Sequence, residues 1–115
     1  MKKTPQDMLM EIKESMRGGE GQAELLHVFK QEELRGKCRI FAKITLLPGC
    51  SIGSHVHDQE EEIYYILEGT AEADDNGKTV ALGVGDALIT GGGETHAIAN
   101  RGSAPLVLMA VILLF

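Results

Sequence analysis

The stretch Gly49-Cys50-Ser51-Ile52-Gly53-Ser54-His55-Val56-His57-Asp58-Gln59-Glu60-Glu61-Glu62-Ile63-Tyr64-Tyr65-Ile66-Leu67-Glu68-Gly69 reads as two extended segments joined by a polar turn. His55 and His57 point the same way only in an extended chain, because side chains there alternate faces with a period of two. Apolar residues are interleaved around them with no helical spacing. Glu62 lies on the next apolar run, and a lone His96 follows later in the chain. Three imidazoles and one carboxylate suit one divalent first-row metal (Mn, Fe, Ni, Co or Zn) and leave positions free in an octahedral shell. Three of the chain's four histidines lie in this arrangement, which makes it the leading candidate for function.

Outward from this stretch the chain reads as strands and turns. The expected strands are Ala23–Phe29, Lys37–Leu47, Ser51–His57, Glu61–Leu67, Thr70–Ala73, Lys78–Leu82, Asp86–Ile89, Glu94–Ala99 and Leu106–Leu114. Breaks such as Pro48-Gly49, Glu68-Gly69, Gly83-Val84-Gly85 and Gly91-Gly92-Gly93 carry turn chemistry. Asn76-Gly77 is a strong hairpin signal. Many short, closely spaced strands predict an antiparallel sandwich or barrel. The apolar run Leu106–Phe115 fits a strand buried on both faces.

The N-terminal segment predicts a short amphipathic helix. Thr4-Pro5 supplies a hydroxyl cap and a first-turn proline, and Asp7 suits the positive end of the helix dipole. Met8, Leu9, Ile12 and Met16 recur at helical spacing, and Arg17-Gly18-Gly19 closes the segment.

A chain of 115 residues supports one core and one domain. Net charge of −6 argues against a nucleic-acid or anionic-membrane partner. No apolar run reaches the roughly 18 residues of a membrane span. The N-terminus turns polar where a signal peptide needs an apolar core. Cys38 and Cys50 are too far apart for a CxxC motif, and free thiols point to the cytoplasm.

The quoted stretch resembles the first cupin motif, G-x5-H-x-H, three or four residues, E, six residues, G. The second motif, G-x5-P-x-G-x2-H-x3-N, is matched by Gly85, Gly93, His96 and Asn100, with Gly91 where proline is expected. Nine of ten motif positions agree in order and spacing. The resemblance implies an all-β, double-stranded antiparallel jelly-roll barrel with a metal near its centre, held by His55, His57, Glu62 and His96. Residues 22–115 would form the barrel, with motifs at 49–69 and 85–100, and residues 1–21 a helical extension. Similar proteins carry out dioxygenation, decarboxylation or isomerisation, and non-catalytic binding or sensing is the alternative. Oxalate-decarboxylating relatives typically carry arginine three residues before the first histidine, where this chain has Ile52.

Other residues have plainer expectations. Glu61 is the off-register alternative to Glu62, and the rest of Glu60-Glu61-Glu62 reads as a solvated charge run. Tyr64 shares parity with Glu62 and is either a phenolic proton donor or a packed aromatic. His27 has no partner at ligand spacing, Cys50 has no basic neighbour in sequence, and Arg39 and Lys43 default to solvent. Three consecutive glycines predict a free turn before His96. The apolar C-terminus and the Met-rich N-terminal segment favour a homodimer, and the open metal positions favour a metal-dependent enzyme acting on a small oxygenated or anionic metabolite as its small-molecule ligand.

Overall fold

Alternation of apolar and polar side chains sorts the chain into two facing sheets. The structure is a computed structural model describing residues 1–115. Its strands are β1 (Leu9–Glu14), β2 (Gln22–His27), β3 (Cys38–Leu46), β4 (Ser51–His57), β5 (Glu60–Glu68), β6 (Ala71–Asp75), β7 (Lys78–Leu82), β8 (Ala87–Gly91), β9 (Glu94–Ala99) and β10 (Leu106–Leu114). One sheet has the order β1-β2-β3-β10-β5-β8 and the other β4-β9-β6-β7. Every pairing is antiparallel. The expected bounds of β4, β7, β9 and β10 match those observed.

The core fills the space between the sheets. Leu106, Leu108, Ala110 and Ile112 of β10 are buried, with Ile44, Leu46, Ile66 and Ile98 on neighbouring elements. Each large aliphatic side chain taken from water contributes about 1.5–3 kcal/mol. A one-residue slip would turn such a face to solvent, so burial specifies register. Val107, Met109 and Val111 are only half-buried, so β10 is fully buried on one face rather than both.

The N-terminal helix is a correction. Only Pro5–Asp7 forms a single 3-10 turn, capped by the Thr4 N–H donating to the Asp7 carboxylate at 3.0 Å. The chain then enters β1, which pairs with β2 from Leu9↔His27 to Glu14↔Gln22. The apolar spacing coincides with a helical period, but an isolated helix this short is marginal in water. The open edge of β2 offers a complete hydrogen-bond ladder instead. Leu9, Met10 and Ile12 remain exposed on this edge strand, so alternation was weak there.

Two turns show how backbone geometry selects residues. Asn76 (φ 50°) and Gly77 (φ 94°) connect β6 to β7 as a two-residue hairpin, as expected. Gly91 belongs to β8, and a Cβ there would lie 2.6 Å from the Glu61 Cβ and 2.7 Å from the Glu60 carbonyl oxygen. Close approach, rather than loop freedom, calls for glycine at this position. Gly92 and Gly93 form the turn, and the Gly93 N–H donates to the His57 carbonyl at 2.8 Å. The turn expected to be free is therefore tied to β4, the strand that carries His55 and His57. Buried Asn100 is also structural: its Nδ2 donates to the Leu46 and Ala104 carbonyls, both at 2.8 Å.

Candidate metal centre

β4 contributes His55 and His57, β9 contributes His96, and β5 of the opposite sheet contributes Glu62. His55 pairs directly across from His96, which brings together residues distant in sequence. The four side chains each offer one donor atom, all within 4.8 Å of one another. His57, Glu62 and His96 are buried, and His55 is half-buried. Glu61 alternates to the other face of β5 and lies outside the cluster.

The outer nitrogens of the rings are already committed. His55 Nδ1 donates to the Gly53 carbonyl at 2.7 Å, and His57 Nδ1 donates to the Glu60 carboxylate at 2.5 Å. His96 Nδ1 lies 2.9 Å from Thr90 Oγ1, which can accept its proton. These partners orient the rings and leave their Nε2 lone pairs facing inward. His96 Nε2 is 3.0 Å from the Nε2 atoms of both His55 and His57. Glu62 Oε1 is 3.0 Å from the His57 and His96 Nε2 atoms and 3.9 Å from that of His55.

Acceptor atoms brought this close call for a cation among them. Adjacent ligands on an octahedral metal with bonds of about 2.1 Å stand about 3.0 Å apart. The chemistry of the donor set and its four separations of 3.0 Å suit one first-row divalent ion. Such a set leaves two of six octahedral positions for other ligands.

Electrostatics prepare the same site. Burial raises the Glu62 carboxyl, but the close approach of His55, His57 and His96 outweighs it and holds the group well below the usual carboxylate range. The Arg39 guanidinium, with help from His57, lowers Glu60 to about 2. Arg39 grips Glu60 at 2.9 and 2.8 Å, so the carboxylate orienting His57 is itself fixed. Neither residue is the solvated group expected from sequence. Glu60 was recoverable only as a carboxylate three positions after a histidine across a tight turn. Thr90 left no distinctive signal.

Tyr64 is buried and stacks on His96, with ring centroids 4.8 Å apart and planes 11° from parallel. Burial pushes its phenol well above the ordinary range, keeping the hydroxyl protonated. His27 lies elsewhere, 3.0 Å from Glu11. Beside the cluster is a cavity of about 60 Å³, lined by His55, His57, Glu62 and Tyr64 together with Leu25, Ile40, Ile44 and Ile112. Lys13, Arg17 and Arg39 also reach it.

Two facing antiparallel sheets holding three histidines and one glutamate between them define a β-barrel protein with a candidate metal centre. Residues 42–112 match the family model described as Cupin domain, and the chain belongs to the cupin family. The oxalate-binding protein of Thermotoga maritima is 46% identical over 100 residues, covering 87% of this chain and 83% of that protein. A crystal structure described as a predicted oxalate decarboxylase, also from Thermotoga maritima, superimposes with a TM-score of 0.94 at 42% identity over 100% of both chains. The tetracenomycin polyketide synthase protein TcmJ of Streptomyces glaucescens is 37% identical over 62 residues, 54% of this chain and 42% of its own length.

Proposed function

We propose that this chain is a single-domain, metal-dependent cupin whose centre binds a small carboxylate-bearing metabolite and acts on it as an enzyme. The observation that carries this reading is the convergence of His55, His57, Glu62 and His96 beside a cavity with free cations at its wall. A cavity of about 60 Å³ has room for a ligand of only a few heavy atoms. Likeness to a protein named for oxalate binding supports the same ligand class.

When bound, a divalent metal supplies Lewis-acid polarisation of a coordinated oxygen. The chain's residues supply the rest. Glu62 offsets only one charge of a dication, so the site attracts anions despite the chain's net charge of −6. Glu60 and Thr90 hold imidazole rings in register, while Leu25, Ile40, Ile44 and Ile112 supply apolar lining. Decarboxylation, dioxygenation and isomerisation are the reaction types this arrangement supports. Non-catalytic binding is favoured by one observation: Glu60, the carboxylate beside the cluster, is locked between Arg39 and His57 and is not free to carry a proton.

Calorimetry on metal-loaded and metal-free protein, with small dicarboxylates, 2-oxo acids and diols, tests this function. Carboxylate binding that requires metal is expected. Turnover of a bound compound then selects the enzyme over the binding protein. A fully loaded site that takes no such ligand would sink both and leave a structural metal.

Assembly follows from the outer face of the larger sheet. Exposed Tyr65, Leu67 and Ile89 flank half-buried Met109 and Val111 there. An apolar sheet face of this kind favours a homodimer. Light scattering should give twice the 12.4 kDa chain mass, and a stable monomer would refute the dimer. No helix is long and apolar enough to cross a membrane. Free Cys38 and Cys50 suit a reducing cytoplasm.

A further inference from the structure

The turn from Ser15 to Gly21 joins β1 to β2 and forms part of the cavity wall. Ser15 (φ 46°) and Arg17 (φ 54°) both lie in left-handed backbone, which is uncommon for residues other than glycine and asparagine. Met16, between them, packs against the hydrophobic core. The turn's backbone rests directly on β4: a Cβ on Gly19 would lie 2.2 Å from the Ser51 carbonyl oxygen, and one on Gly53 would lie 2.1 Å from that of Arg17. The Ser51 N–H donates to the Glu20 carbonyl at 2.9 Å, and the Glu20 N–H donates to Ser51 Oγ at 2.9 Å. This seating places Arg17 two residues in sequence from Gly19 and against Gly53, close to His55.

Three cationic side chains reach the cavity. Arg39 is paired with Glu60 at 2.8 Å. Lys13 and Arg17 take part in none of the chain's ion pairs or side-chain hydrogen bonds. Arg17 stands close enough for its charge to act on the Tyr64 phenol. The wall formed by Leu25, Ile40 and Ile44 offers no competing acceptor side chain. Two unpaired cations thus face a small cavity whose other polar wall is the candidate metal centre. Positive charge on this lining beyond the metal centre itself suits an anion carrying more than one charged group.

We infer that Arg17, assisted by Lys13, is a specificity-determining residue that receives the second carboxylate of a short dicarboxylate whose first carboxylate is held at the metal. The inference rests on the carboxylate-binding reading above. A guanidinium presents a planar fork to a carboxylate, so the contact discriminates by geometry as well as charge. A monocarboxylate satisfies the metal and leaves Arg17 without a partner.

The test uses the metal-loaded full chain, with oxalate and malonate as dicarboxylate probes and acetate as the monocarboxylate control. Arg17→Asn removes the charge while keeping a residue that tolerates left-handed backbone. Calorimetry should show dicarboxylate affinity falling about ten- to a hundredfold, with acetate affinity unchanged. Metal content, measured by elemental analysis, should also be unchanged. Arg17→Lys retains the charge without the fork and should lose less, which keeps the test valid if the asparagine variant does not fold. Dicarboxylate binding unchanged in both variants would overturn the inference, as would an equal loss for acetate and dicarboxylate. If the loaded wild type binds none of the three anions, the carboxylate reading itself fails.

Discussion

Replacing His57 or His96 with alanine is expected to take bound metal from about one equivalent per chain to a trace. Each change removes one of three imidazoles and leaves buried Glu62 facing an incomplete shell. Glu60→Gln keeps all four donors but weakens the partner that fixes the His57 ring, so its affinity should fall about 10- to 100-fold. The thermal readout is equally direct. Metal at about a thousandfold over its dissociation constant stabilises the folded state by about 4 kcal/mol. For a chain this size that raises Tm on the order of 10–20 °C, and a chelator should reverse it. Unchanged metal content in both alanine variants, by elemental analysis, would refute the ligand assignment.

Gly69→Ala is expected to destabilise the fold by about 3 kcal/mol, from positive-φ strain and overpacking together. Gly69 follows β5 with φ 78°, and a Cβ there would lie 2.4 Å from the Pro105 carbonyl oxygen and 3.1 Å from the Leu106 Cα. Both neighbours are backbone at the start of β10, the strand that carries much of the core. Gly77→Ala is the control. Its φ is 94°, but no atom lies within 4 Å of the added methyl, so only the conformational cost of about 1 kcal/mol remains. Urea denaturation of the two variants separates sterics from backbone preference, and equal losses would remove the steric explanation.

Much of the barrel was legible because burial writes period-two alternation into the sequence. β4, β9 and β10 each face the core on one side, and their expected bounds match those observed. β1 was misread because an edge strand with little burial has no alternation to display, and Met8, Leu9, Ile12 and Met16 happen to fall at helical intervals. The four candidate ligands were legible through spacing within strands, and the structure brings all four together. Their supporting groups were not. Glu60 looked like one member of a charge run, and Arg39 looked solvated, because their pairing depends on how β3 and β5 lie across β10. Arg17 was hidden for the same reason, since its place at the cavity comes from a turn seated on a strand far along the chain.

The division of ligands between sheets has a kinetic consequence. His55, His57 and His96 lie on one sheet and Glu62 on the other. The complete donor set therefore exists only after the two sheets have docked. A metal held by all four residues would have little to grip in a folding transition state where that docking is unfinished. Interactions formed after the rate-limiting barrier leave the folding rate nearly unchanged and slow unfolding. The ion would act as a latch on the closed barrel, lengthening the lifetime of the native state without hastening its formation.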